Sequence, residues 1–287
     1  MEEILKSKSN LVSEYLQTWL NNSRSSEVAS KLKDSVSYSL MNGGKRFRPT
    51  LSLLVADLLQ IPSRAVLPWG AAIEMIHTYS LIHDDLPCMD NDDMRRGQPT
   101  NHKVFGDDIA LLAGDALLTE AFGHVAQGYL VNSQILGSLI LILNEAAGWS
   151  GMVNGQVLDM LVQKNFEKTQ VNPDKKMIDQ IHQQKTGALI RASVEGVACI
   201  AQVSESQRQL LRTFGEKLGW AFQLADDILD YDPNEVESCS YFAVMSKAEV
   251  VQLLEQTSQE AIDILKTFGV HAQNLIKLVD YNKSRTY

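Results

Sequence analysis

The stretch "SLIHDDLPCMDNDDMRRG", Ser80 to Gly97, places five aspartates, Asp84, Asp85, Asp90, Asp92 and Asp93, within ten positions and follows them with Arg95 and Arg96. A second acidic group, Asp226, Asp227 and Asp230, lies far downstream in "QLADDILDYDP". Asp226 and Asp230 stand four apart and share a helix face, where like charges repel. Carboxylates near a helix C-terminus also oppose the macrodipole. A bound cation would offset both penalties. Oxygen-only donors suit a hard ion such as Mg²⁺, which binds through one or two carboxylates and completes its shell with water and phosphate. A phosphorylated ligand is therefore implied. An EF-hand starting at Asp90 would need Gly at its sixth place and Glu at its twelfth, where Arg95 and Asn101 stand, so that reading fails. One such cluster alone reads as a solvated acidic helix end. Two, each beside an apolar helix, weigh against that reading.

The cations needed for a phosphate are also grouped. "MNGGKRFRP" joins two glycines, which allow a tight turn, to Lys45, Arg46 and Arg48. Guanidinium forks suit bidentate binding of phosphate oxygens and Lys adds a point charge. The chain has a net charge of −9, so its bulk field disfavours nucleic acid and anionic membranes, and an anionic ligand needs a local basic pocket. His77 lies two helical turns before Asp84 on the same face. Lys185 and Thr186 in "QQKTGALI" are expected to open an apolar helix, where free backbone N–H groups favour an anion. No Ser/His/Asp or Cys/His set stands out as a covalent nucleophile.

These residues need elements to hold them. Apolar positions recur at helical spacing from "LVSEYLQTWL" to "KAEVVQLLEQTSQEAIDILKTF", predicting about nine or ten helices. Low aromatic content (7%) and few Gly and Pro (17 and 7) also favour helices over a sandwich or barrel. The expected fold is all-α, and without a Gly/Pro/Ser linker the expected organisation is one domain over 1–287. Asp84 and Asp85 should close the helix "AAIEMIHTYSLIH", because Pro87 makes further regular helix unfavourable, and Asp90 should lie on the following loop. Cys88, Cys199 and Cys239 form no disulfide framework, which fits a reducing cytoplasm. The N-terminus does not read as a signal peptide, and no uninterrupted apolar run approaches membrane-span length, so a soluble, untargeted protein is expected.

"GGKRFRP", "EMIHTYSLIHDDLPCMDNDDMRRGQPTNHKVFGDDIALLAGDALL", "GMVNGQVLDM", "KTGALI" and "WAFQLADDILD" together resemble the short-chain trans-prenyl diphosphate synthases, over roughly residues 35 to 232. The nearest likeness is to the bacterial farnesyl diphosphate synthases, with the plant-type geranylgeranyl enzymes next. The resemblance implies a helical bundle of the isoprenoid synthase type around a central cavity, with the aspartate motifs facing each other at its mouth. It implies that Asp84, Asp85, Asp90, Asp226, Asp227 and Asp230 hold Mg²⁺, about three ions per site. Arg95, Lys185, Thr186 and Gln223 would contact the allylic diphosphate. Lys45, Arg48, His77 and Arg96 would hold isopentenyl diphosphate. The implied reaction joins isopentenyl diphosphate to dimethylallyl or geranyl diphosphate, giving farnesyl diphosphate, in a cytoplasmic homodimer. Tyr79, five before the first aspartate, is the bulky residue associated with a C15 product. Helix geometry alone favours Ser80, one turn behind Asp84.

The chain departs from the family pattern after Asp230. A glycine-rich loop with lysines would normally follow, whereas this chain reads "YDPNEVESCSYFAVMSKAEVV", with no lysine between Asp230 and Lys247. "SYF" reads as the loop's remnant, and weaker closure over the allylic diphosphate is expected. The alternatives are a C20 synthase and a low-activity, synthase-like regulatory subunit that binds diphosphates. A third, an HD-type phosphohydrolase suggested by His83-Asp84, would leave "GGKRFRP" and Asp226 to Asp230 without a role.

Overall fold

Helix after helix forms where the apolar spacing requires it, and the only strands among the described residues are the two-residue β1 (Met94–Arg95) and β2 (Gln98–Pro99), paired antiparallel. The computed structural model describes residues 1–23, 30–234 and 236–285. Val28 and Ala29, which open the expected second helix, and Glu235 of the shortened segment after Asp230 lie outside the described residues. The chain divides into two compact units, one of Glu2–Leu53 and Pro62–Ile140, the other of Met1, Leu54–Ile61 and Leu141–Tyr287.

The first unit holds α1 (Glu2–Asn22), α2 (Ser30–Met41), most of α3 (Phe47–Leu58), α4 (Leu67–Asp84), the β1–β2 hairpin, α5 (Asn101–Phe105), α6 (Asp107–Tyr129) and the first half of α7 (Ser133–Ala147). Its inner helix is α4. Trp69, Ala71, Ala72, Ile73, Met75 and Ile76 are all fully buried, so α4 is apolar on most sides, as an inner helix should be. Each large side chain so buried contributes about 1.5–3 kcal/mol. Helix α6 approaches α4 closely enough that a Cβ at Gly114 would lie 2.0 Å from His83 Nε2. The helix ends as expected, with Asp84 its last residue and the Asp85 N–H capping back onto the Leu81 and His83 carbonyls.

The second unit holds the end of α3, the second half of α7, α8 (Met152–Thr169), α9 (Lys175–His182), α10 (Ala188–Ile200), α11 (Glu205–Asp230), α12 (Lys247–Lys266) and α13 (Gln273–Ser284). Capping boxes open α11 (Ser204 with Gln207) and α12 (Ser246 with Glu249), each side-chain cap contributing about 1 kcal/mol. Buried Glu195 accepts from Arg208 (3.0 Å) and Arg212 (3.4 Å), and Glu145 from Arg191 (2.9 Å) and Arg212 (3.1 Å), which ties α7, α10 and α11 together.

The thirteen α-helices among the described residues exceed the expected nine or ten, because α5 and α9 are short and α8 and α13 mix many polar residues with their apolar ones. Two helical stretches, Asp107–Tyr129 and Ser133–Thr169, are long and apolar enough by composition to cross a membrane. Core helices of a soluble bundle pass the same test, and each buries part of its most apolar window, 39% and 44%.

Candidate active site

The C-terminal end of α4 carries the first aspartate group. The loop after Pro87 folds back so that the Asp90 N–H donates to the Asp84 carbonyl (2.9 Å), which brings these two residues together. Asp85 is buried and accepts a two-pronged fork from Arg95, through Nε (2.7 Å) and Nη2 (2.6 Å). Burial raises the Asp85 carboxyl above the usual carboxylate range, and the Arg95 fork opposes that rise. Asp92 lies 3.5 Å from Arg95, and Asp93 pairs with Lys103 (2.7 Å), so both shape the loop that carries the arginines. Behind Asp84, Tyr79 is buried and stacks edge-on to His83, with ring centroids 5.7 Å apart. Burial, then the Asp84 charge, push its phenol up to about 12. The Ser80 hydroxyl instead donates within its own helix, to the His77 carbonyl (2.9 Å).

The two basic runs meet in the same unit. Arg96 donates to the Gly43 carbonyl (3.1 Å), and its guanidinium fills the space over Gly44, where an added Cβ would lie 2.5 Å from Nη1. Gly44 has φ +94, so glycine is required there for its backbone as well as for the close approach. Arg46 turns inward to Glu74 (2.7 Å), both side chains buried, and leaves Lys45 exposed and Arg48 half-buried. Sequence reasoning assigned nothing to Glu74, although a lone acid in the apolar run "AAIEMIH" was a legible signal. Burial first, then the fields of Arg48, Arg96, Arg46 and Arg95, hold the His77 imidazole well below its ordinary value, which favours its neutral form among these cations.

In the second unit the end of α11 points its two adjacent aspartates at different partners. Asp226 pairs with Arg285 (2.6 Å), whose guanidinium lies 4.2 Å from the Phe222 ring centroid and donates to the Phe222 carbonyl (2.9 Å). Burial raises the Asp226 carboxyl, Arg285 opposes the rise and Asp230 adds to it. Asp227 is buried and accepts from Gln223 Nε2 (3.0 Å), Ser240 Oγ (3.0 Å) and the Tyr241 N–H (2.7 Å). Gln223 in turn accepts from the Thr186 hydroxyl (3.0 Å), which joins three of the expected site residues in one chain. Asp230 is exposed.

Lys185 ion-pairs with buried Asp159 of "GQVLDM", a residue to which sequence reasoning gave no role. Arg285, near the C-terminus, carried no signal at all. The expectation that Lys185 and Thr186 open a helix is corrected. Gln183–Gly187 form a π-helical turn that runs from α9 into α10, so these residues have no exposed helix N-terminus beside them. The backbone of Lys185 lies so close to Gly155 that an added Cβ there would be 2.2 Å from its nitrogen.

Among the described residues no three Asp, Glu, His or Cys side chains form a preformed metal cage. The donors at the two helix ends are aspartate oxygens, the hard ligands that Mg²⁺ takes one or two at a time while water and substrate phosphate complete its shell. The residues therefore fit the ion.

Aspartates at apolar helix ends and an arginine-rich glycine turn in an all-helical fold agree with what the comparisons show, a trans-prenyltransferase of the isoprenoid synthase kind. The profile of the Polyprenyl synthetase family matches residues 29–238, and the chain belongs to that family. It is 42% identical over 264 residues to the farnesyl diphosphate synthase of Micrococcus luteus, covering 88% of each chain. It is 38% identical over 255 residues to the chloroplastic heterodimeric geranylgeranyl pyrophosphate synthase large subunit 1 of Arabidopsis thaliana, covering 83% of this chain and 67% of that one. The crystal structure of an FPP/GFPP synthase from Zymomonas mobilis superposes with a TM-score of 0.90 at 33% identity, covering 98% of this chain and 100% of that one. Members of this family bind isoprenyl diphosphates and are generally Mg²⁺-dependent.

Proposed function

We propose that this protein condenses isopentenyl diphosphate with dimethylallyl or geranyl diphosphate to give farnesyl diphosphate, acting as one synthase domain, cytoplasmic and homodimeric. The observation that carries the reading is the Arg95 fork on Asp85, because it joins the carboxylates suited to a metal to the arginine cluster around His77. When bound, Mg²⁺ neutralises the allylic diphosphate and makes it a better leaving group. Asp84, Asp85, Asp90, Asp226, Asp227 and Asp230 are the candidates to hold the ions, about three per site. Lys45, Arg48, Arg96 and neutral His77 bind and orient isopentenyl diphosphate. Arg95, Lys185, Thr186 and Gln223 orient the allylic diphosphate and stabilise the charge developing on its oxygens as the C–O bond breaks. Apolar side chains keep water from the allylic cation. The double bond of isopentenyl diphosphate attacks that cation, and the proton lost from the new chain passes to the departed pyrophosphate. No side-chain nucleophile is required.

Buried Tyr79 favours a C15 product, while likeness to the geranylgeranyl enzyme of Arabidopsis thaliana supports C20 as the second reading. The segment after Asp230 without lysine supports slower turnover than in a relative with the full loop. The test is incubation with Mg²⁺, labelled isopentenyl diphosphate and each allylic primer, followed by sizing of the products. C15 is expected. C20 would overturn the product assignment, and binding without any condensation would overturn the enzyme.

A further inference from the structure

Asp227 has three of the roughly four acceptor sites of its carboxylate committed inside the protein. Oδ1 accepts from Gln223, and Oδ2 accepts both the Tyr241 N–H at 2.7 Å and the Ser240 hydroxyl at 3.0 Å. The residue is 8% exposed and its Oδ2 carries two donors, so a metal that takes Oδ2 strips a buried donor of its partner, which then bears its full desolvation cost, and only one buried site on Oδ1 remains. Its neighbour differs. Asp226 is about one-third exposed with one cation on it, and Asp230 is exposed.

The turn that Asp227 grips is fastened at its other end too. Tyr241 is fully buried, donates its hydroxyl to Asp179 (2.8 Å), accepts from Trp220 Nε1 (2.7 Å) and lies against the His182 ring with centroids 5.0 Å apart. The Ser240–Tyr241 turn, which the sequence likeness reads as the remnant of a lysine-bearing loop, is thus held by a motif carboxylate and not by charge of its own. The same carboxylate orients Gln223, and through it the Thr186 hydroxyl.

We propose that Asp227 is a positioning residue that ties the Ser240–Tyr241 turn to Gln223 and Thr186, and that metal binding by the second aspartate group falls to Asp226 and Asp230. This rests on the prenyltransferase reading above and redistributes the roles within it.

The test compares Asp227→Asn, Ser240→Ala and Asp226→Asn in the full chain. The readouts are hydrogen exchange at the Tyr241 amide, Mn²⁺ bound in the presence of inorganic pyrophosphate by electron paramagnetic resonance, and KM for each substrate. Asp227→Asn is expected to speed Tyr241 exchange about tenfold or more, the loss of one charge-assisted hydrogen bond, and to leave the number of bound Mn²⁺ unchanged. It should raise KM for geranyl diphosphate several-fold and leave KM for isopentenyl diphosphate unchanged, a split that general destabilisation would not produce. Ser240→Ala should shift the same quantities by less, Ser240→Thr should restore them, and Asp226→Asn should lose bound Mn²⁺. Loss of Mn²⁺ in Asp227→Asn with the Tyr241 amide still protected overturns the proposal. Should that variant fail to fold, Ser240→Ala decides: no change in Tyr241 exchange or in geranyl diphosphate KM overturns it. If the prenyltransferase reading itself is wrong, the wild-type chain forms no product, while the exchange and Mn²⁺ measurements still report on Asp227.

Discussion

Arg285 Nη2 lies 2.6 Å from Asp226 Oδ1, so the end of the chain places a cation on the first carboxylate of the second aspartate group. A guanidinium there competes with any metal for the same oxygen. Arg285→Ala should therefore lower the Mg²⁺ concentration needed for half-maximal condensation. Without Mg²⁺ the variant should be less stable by about 1–2 kcal/mol, since a part-buried carboxylate loses a charged hydrogen-bond partner. Mg²⁺ titration of the rate, paired with urea unfolding, checks both, and a raised Mg²⁺ requirement would show that the contact does not compete.

The first group separates metal candidates from loop residues. Asp84→Ala should reduce condensation by about 10²–10³-fold or more, in the range seen when one group stabilising transition-state charge is removed. Asp92→Asn touches only a 3.5 Å contact to Arg95 and should stay within a few-fold of wild type. Steady-state rates of the two variants at saturating Mg²⁺ make the comparison, and retained activity in Asp84→Ala would defeat the metal role.

Arg46 and Glu74 form a buried pair beneath the glycine turn, and removing one charge leaves the other uncompensated. Glu74→Gln should cost about 3–5 kcal/mol. It should also raise KM for isopentenyl diphosphate more than KM for the allylic substrate, because the Lys45–Arg48 turn loses its support. Denaturant unfolding and the two KM values test this together.

The pH dependence has a defined sign. His77 is held well below its ordinary value of 6.5, so the folded protein keeps it neutral while the unfolded chain protonates it as pH falls. Its contribution is present above about 6.5 and is lost toward lower pH, by up to about 1.4 kcal/mol per pH unit. The stability difference between wild type and His77→Gln should therefore shrink between pH 8 and pH 5.5. A difference that stays constant in urea unfolding would mean that the imidazole titrates normally.

Local chemistry made part of this protein legible from its residues. The end of α4 at Asp84 follows from Pro87, two places past the cap, and the buried face of α4 follows from an apolar run that leaves no polar stripe. The pairing of "GGKRFRP" with the Arg95–Arg96 pair was anticipated only as a need for cations, because charge balance says that a basic pocket must exist and not which side chains reach it. Within that motif Arg46 and Arg48 look alike as letters. The inward turn of Arg46 depends on Glu74, twenty-eight positions away.

The sequence by itself determined an all-helical chain, two aspartate groups at helix ends and a basic glycine turn, because helix periodicity, breakers and charge act over a few residues. Only the tertiary structure decided which carboxylates are engaged and by what. Asp226 and Asp227 are neighbours in sequence, but successive residues on a helix point about 100° apart, so one meets Arg285 and the other the Ser240–Tyr241 turn. Lys185 likewise sits in a π-helical turn against Gly155 and not at a helix start, since close approach of two backbones is a property of packing and leaves no periodic mark in the chain.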